Sequence, residues 1–153
     1  MHQFKTQHWL PISIKEAWNF FSSPKNLSRI TPPEMDFKIL TPNLPINIHN
    51  NLLINYSVKP IFGIEMKWET EIMDVSNENY FIDKQNKGPY SFWEHKHLFE
   101  VNNNGVLMTD IVNYKLPFGL LGNLIHFIFI RKKIESIFEY RKQILIKLFQ
   151  HNS

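Results

Sequence analysis

The sequence contains no cysteine. That excludes disulfides, thiolate metal sites and a cysteine nucleophile, and it suits a reducing compartment. The first residues, Met1 to His8, hold no apolar run of the kind a secretory signal needs. The expectation is therefore a cytoplasmic protein. Long hydrophobic runs are also missing. The longest nearly apolar stretch, Leu116 to Ile130, is interrupted by Pro117, Gly119, Gly122, Asn123 and His126, and about 20 apolar residues are needed to cross a bilayer. The excess of basic charge is small: 17 Lys and Arg against 14 Asp and Glu give a net charge of +3. It is spread along the chain and forms no basic stripe, so no nucleic-acid partner is expected. There is no glycine-rich phosphate loop, no HExxH and no Ser–His–Asp arrangement.

Aromatic residues, by contrast, make up 14% of the chain, with 13 Phe and 4 Trp. That is more than an ordinary core requires and suggests wide interior surfaces. A chain of 153 residues suits one domain, 1–153, and is short for two. Residues 3–10 alternate as a strand, and Pro11 stops it. Ser13 and Glu16 form a capping-box pattern ahead of Ile14, Ala17, Trp18 and Phe21, one helical stripe. Ser23-Pro24 starts a second short helix with Ser23 as its N-cap, and Thr31-Pro32-Pro33 ends it. Strands are expected at 36–41, 52–59, 64–75, 80–85, 90–101 and 106–116. From about Leu120 to Phe149 the period turns helical, with Leu124, Phe127, Ile130, Ile134, Ile137, Arg141, Ile144 and Leu148 on one stripe. Such a helix runs about 45 Å and must lie across a whole sheet. The class is α+β.

Hairpin geometry sorts the strand residues into faces. A two-residue loop at Asn103-Asn104 sets His97 opposite Asp110, Trp93 opposite Tyr114 and Phe99 opposite Met108, all on one face. Glu94, Lys96, Glu100, Thr109, Asn113 and Lys115 then take the solvent side. The turn at Pro60 to Gly63 sets Tyr56 opposite Trp68 and Val58 opposite Met66. The covered face holds Tyr56, Trp68, Thr70, Trp93, His95, His97, Asp110 and Tyr114, with Asp83 and Gln85 beside them. A packed core would use Val, Leu and Ile. Buried polar groups left unpaired cost on the order of 1–3 kcal/mol each, so this face reads as the wall of a cavity. The His95-x-His97 spacing near Asp83 and Asp110 suits Zn or non-haem Fe. A lone HxH without cysteine is a weak signal, and no metal and no cofactor are expected.

The order of elements resembles the START/Bet v1-like helix-grip superfamily, also called SRPBCC. The local strings that carry the resemblance are Asn26-Leu27-x-x-Ile30-Thr31-Pro32-Pro33, Trp68-x-Thr70, Phe81-Ile82-Asp83-x-Gln85, Gly88-Pro89-Tyr90, Trp93-x-His95-x-His97-x-Phe99 and Asp110-x-Val112-x-Tyr114-x-Leu116-Pro117-x-Gly119. They are similar to a bacterial subgroup of ligand-binding, or cell-division-inhibitor-like, SRPBCC proteins, and the resemblance covers the whole chain. Where such proteins often carry a Gly before the third strand, this chain has Asn50-Asn51, and Asn tolerates the left-handed conformation. The resemblance implies a curved antiparallel sheet of about seven strands, two short helices after the first strand and a long C-terminal helix. It also implies a cavity that binds lipid-like, polyketide-like, aromatic or isoprenoid molecules, with catalysis in some members.

Three functional readings follow. The first is a module for a small hydrophobic molecule, with Tyr56, Trp68, Asp83, Trp93, His95, His97, Asp110 and Tyr114 as ligand-binding residues. The second is an enzyme of the cyclase or dehydratase kind, with His97 and Asp110 as general acid/base. The third is an interaction module whose apolar tips dock on a protein or a membrane surface without integral insertion. Ile61, Phe62, Phe118 and Leu121 sit at two apolar turns and are expected at the cavity mouth. Oligomeric state is not legible.

Overall fold

The first strand, β1 (His2–Leu10), gives way at Pro11 to a capped helix. The computed structural model describes residues 1–150 and, for Gly122, His126 and Phe127, the backbone alone. Ser13 caps α1 (Ile14–Phe21): its hydroxyl accepts the Glu16 N–H at 3.2 Å, and the Glu16 carboxylate accepts the Ser13 N–H at 3.0 Å. Trp18 drives α1 onto the sheet by meeting Phe81 and Phe99 edge to face. The second short helix is a 3₁₀ segment, Pro24–Ile30, and the Ser23 side chain does not cap it. The Asn26 N–H goes instead to the Ser23 carbonyl at 3.0 Å.

Six further strands follow: β2 (Lys38–Ile39), β3 (Leu53–Val58), β4 (Met66–Ser76), β5 (Tyr80–Lys87), β6 (Phe92–Asn102) and β7 (Gly105–Lys115). All pairs are antiparallel, in the order β1-β7-β6-β5-β4-β3-β2. Strand β2 is shorter than the expected 36–41. Asp36 turns left-handed at φ 44°, and a single carbonyl, that of Asn55, accepts from both Leu40 and Thr41.

The register of β6 and β7 is the expected one: His97 faces Asp110, Trp93 faces Tyr114 and Phe99 faces Met108. Asn103 and Asn104 make this possible by adopting φ 45° and 60°, the left-handed pair that a two-residue hairpin requires. Gly105 has no substitute here, because a Cβ would run into the Leu10 carbonyl and the Trp9 ring. Tyr56 faces Trp68 and Val58 faces Met66. Asn51 takes φ 63°, so it fills the place of the absent glycine. Pairing of β4 with β5 shifts register twice, at Glu69/Thr70 and Ile72/Asp74, and simple alternation does not carry across such bulges. Thr109 departs from expectation. It lies on the convex side but is 2% exposed, because Gln7 of β1 covers it and donates to its hydroxyl at 2.9 Å.

The C-terminal helix is three pieces rather than one: α2 (Gly119–Ile125), a π turn (His126–Ile130) and α3 (Arg131–Phe149). Its buried row is Ile130, Ile134, Phe138, Arg141 and Leu145. Of the expected stripe, Ile137, Ile144 and Leu148 flank that row, Leu124 is exposed, and the side chain of Phe127 lies outside the described residues. Phe138 sets the phase. It reaches Phe4 of β1 with ring centroids 5.0 Å apart and stands edge-on to His95 at 5.5 Å.

Candidate ligand cavity and its polar cluster

Strand β6 presents His95 and His97 on the concave face because they are two residues apart. Strand β7 brings Asp110 from one side, and β5 brings Asp83 from the other. His97 and Asp110 are cross-strand neighbours as expected, but the hydrogen bonds run diagonally. His95 Nε2 bonds Asp110 Oδ1 at 2.8 Å, and His97 Nε2 bonds Asp83 Oδ2 at 2.8 Å. His97 Nδ1 lies 3.2 Å from Asp110 Oδ1 without a hydrogen bond. Sheet twist offsets directly opposed side chains and brings diagonal neighbours within reach. The two imidazoles lie 3.7 Å apart by centroid, Phe81 stacks on His97 at 4.0 Å, and Phe138 closes over His95.

The environments of the two histidines differ. Burial, with His97 beside it, pulls His95 below the usual imidazole range and outweighs the Asp110 and Asp83 carboxylates. Burial also opposes charge on His97, but the Asp110 and Asp83 carboxylates win and raise it. Burial opposes charge on Asp110 as well, yet the two imidazoles hold it well below the usual carboxylate range. The cluster thus favours a neutral His95, a protonated His97 and an ionised Asp110.

Between sheet and α3 lies a cavity of about 180 Å³. Tyr56, Trp68, Asp83, Trp93, His95 and His97 line it from the sheet, and Ile134, Ile137, Phe138 and Arg141 from the helix. Asp110 and Tyr114 are not on the wall. Asp110 is 0% exposed and holds His95 from β7, and Tyr114 packs with Val112, Ile130 and Ile134. Burial raises the Tyr56 and Tyr90 hydroxyl pKa values, so both stay protonated. Gln85, placed beside Asp83 in sequence, works as a clamp. Its amide donates to the Tyr90 carbonyl at 2.7 Å and accepts the Tyr90 N–H at 3.3 Å. Gly88 leaves room for it, since a Cβ there would strike the Gln85 side chain.

No family model matches the sequence, and no curated protein does. Solved structures do match. A START superfamily protein from Mycobacterium smegmatis superposes with a TM-score of 0.73 over 100% of both chains at 11% identity. Ara h 8.0201, a Bet v 1 allergen, gives 0.62 at 12% identity, covering 95% of this chain and 98% of its own. The nucleoside-diphosphate sugar epimerase of Corynebacterium glutamicum gives 0.63 at 20% identity, over 94% of this chain and 28% of the epimerase.

The chain has the START/Bet v1-like helix-grip fold. Within this helix grip the polar cluster sits on β5, β6 and β7 near the middle of the sheet, under α3.

Two polar residues of the helix grip escaped the sequence reading. Arg141 is 7% exposed and lines the cavity from α3, its guanidinium 4.8 Å above the Phe138 ring. The available signal was a charge on an otherwise apolar stripe. His8 of β1 is also buried, and burial lowers its pKa, countered by Asp110 and reinforced by Arg141 and Lys142. Buried side-chain atoms without a hydrogen-bond partner among the described residues include His8 Nε2, Trp68 Nε1, Asp110 Oδ2 and Arg141 Nε. The four residues expected at the mouth are not on the wall of this cavity. Ile61 and Phe62 line a shallow groove with Phe129 and Lys132, and Phe118 and Leu121 are exposed. Asp83, His95 and His97 each offer a ligand atom within 4.8 Å of the others. No helix among the described residues is long and apolar enough to cross a membrane.

Proposed function

We propose that the protein binds a small hydrophobic molecule between its sheet and α3. The observation that supports this reading most is the cavity itself: an aromatic and aliphatic wall carrying a compact polar cluster at one place. Small-molecule sites combine these two features, an apolar lining that desolvates the ligand and a few placed polar groups that orient it. Trp68 Nε1 is a buried donor on that wall with no hydrogen-bond partner among the described residues. A co-purifying mass of a few hundred daltons, held through native mass spectrometry and lost on denaturation, is the expected result. If repeated preparations hold no such mass, and a panel of lipid-like, polyketide-like and aromatic probes leaves Trp68 and Trp93 fluorescence unchanged, the reading fails.

The cyclase or dehydratase reading has one specific observation in its favour. Two adjacent imidazoles are held in opposite protonation tendencies, and such pairs supply a base and an acid in one site. Once a ligand is known, turnover by the wild type that vanishes in His97→Ala while binding persists would favour the enzyme over the binding module.

We place the ligand's route of access near two Phe-Gly turns. Phe62 and Phe118 hold φ 52° and 70°, each followed by a glycine at positive φ, and they are 75% and 78% exposed. Bulky residues rarely adopt this conformation, and such strain gathers at functional sites. Ile61 shares a packed cluster with Tyr90 and Trp93, which line the cavity. The double variant Phe62→Ser, Leu121→Ser is expected to change the association and release rates of 1-anilinonaphthalene-8-sulfonate several-fold. Its unfolding free energy should stay within about 0.5 kcal/mol of wild type, as for surface sites generally. Unchanged rates, or loss of the fold, would move the mouth elsewhere.

A further inference from the structure

Arg141 has an unusual position for a cation. It projects from α3 into the cavity wall and is 7% exposed. No hydrogen bond or ion pair among the described residues reaches its guanidinium, and its Nε has no partner. Its guanidinium lies over the face of Phe138, 4.8 Å from the ring centroid. Burying a guanidinium without hydrogen-bonding partners is strongly unfavourable, and arginine offers five donors in a planar fork that matches a carboxylate.

Among the described residues, most of the titratable and hydroxyl groups on the wall already have partners, while Trp68 Nε1 and His97 Nδ1 have none. His95 is bonded to Asp110, His97 to Asp83, and the Tyr56 hydroxyl to Thr70 at 2.9 Å. The two carboxylates act on Arg141 only through space: they favour its charge against the effect of burial, and neither comes within 4.0 Å of it. A buried fork of donors therefore faces a cavity whose remaining lining is largely apolar.

We propose that Arg141 anchors a carboxylate, and that the cavity takes an apolar carboxylic acid. This rests on the binding-module reading and names the ligand class for that same site. The acid group meets the guanidinium from the cavity side, where two parallel N–H···O bonds form. The hydrocarbon or aromatic body occupies the lining around Trp68, Ile137 and Phe138. A matching alcohol fills the same volume but leaves the charged fork without its anion.

The test uses the full-length protein at pH 8 and matched probes: decanoic acid with decan-1-ol, and 2-naphthoic acid with 2-naphthylmethanol. Affinity is measured by titration calorimetry or by quenching of tryptophan fluorescence. The expected result is that at least one acid binds tenfold or more tightly than its alcohol. Arg141→Met should remove that preference while the alcohol binds as before, and Arg141→Lys should keep part of it. If acids and alcohols bind the wild type equally, Arg141 is a buried counter-charge to Asp83 and Asp110, and the assignment is overturned while the binding reading stands. That comparison is made on the wild type and so does not depend on the variants folding. If no probe of either kind binds the wild type, the binding reading fails and this assignment falls with it.

Discussion

Replacing Asp110 with alanine lowers the unfolding free energy by about 3–5 kcal/mol, the usual loss when one partner of a buried charge-linked pair is removed. The carboxylate is fully buried, accepts from His95 at 2.8 Å and lies 3.2 Å from His97. Its removal leaves two buried imidazoles to share Asp83, which is bonded to His97 at 2.8 Å and lies 3.8 Å from His95 Nδ1. The pH dependence has a definite sign. Asp110 titrates well below its ordinary range in the folded protein, so its contribution is present above the unfolded value of about 3.9 and fades as pH falls through the folded value. His97 is raised, so its contribution is present below the unfolded value of about 6.5 and is lost as pH rises through the folded value. The difference between wild type and Asp110→Ala is therefore largest near pH 5–6 and narrows on both sides. Urea melts from pH 4 to pH 9 measure it. A difference below about 1 kcal/mol across that range, where a typical single hydrogen bond would suffice, would show that Asp110 does not hold the cluster together.

Asp110 faces the concave side, as its register predicts, but it lies off the cavity wall and is bonded to His95. Hairpin alternation is set by local chemistry: Asn103 and Asn104 tolerate left-handed backbone, Gly105 admits the Leu10 carbonyl, and the register of β6 and β7 follows. The facing of His97, Asp110, Trp93 and Tyr114 was thus legible. Depth was not. Whether a concave-face residue touches the cavity or lies beneath another side chain depends on where the C-terminal helix crosses the sheet, and Ile130 of the π turn and Ile134 of α3 pack on Tyr114. The diagonal His–Asp bonds were hidden for a similar reason, since twist is a property of the assembled sheet.

The helix shows the same boundary. Its existence and extent were written in the periodicity, but two apolar rows compete on it. One runs through Ile137 and Ile144, the other through Phe138 and Leu145, and both include Ile134 and Arg141. Only contact with β1 and the His95 ring decides between them. Arg141 belongs to either row, which is why its charge was the usable clue and why its meaning waited for the cavity.

Replacing Phe138 with alanine is expected to cost about 3–5 kcal/mol, the range for a buried phenyl ring removed from a packed interior. The ring touches Phe4 at 5.0 Å, stands over His95 at 5.5 Å and carries the Arg141 guanidinium at 4.8 Å. It therefore fastens α3 to β1 and covers the polar cluster in one contact. It also lines the cavity, so its loss enlarges the space open to a ligand. Two effects should appear together. The ligand-free variant melts at lower denaturant, and bulkier apolar probes gain affinity relative to small ones because they refill the space and recover the lost contacts. Phe62→Ala supplies the control, since that ring is exposed and its removal should shift stability by no more than about 0.5 kcal/mol. Chemical denaturation of both variants, with and without probes of graded size, distinguishes the outcomes. If Phe138→Ala is as mild as Phe62→Ala, the helix is held by other contacts. If it destabilises without any change in size preference, Phe138 fastens the helix but does not limit the cavity.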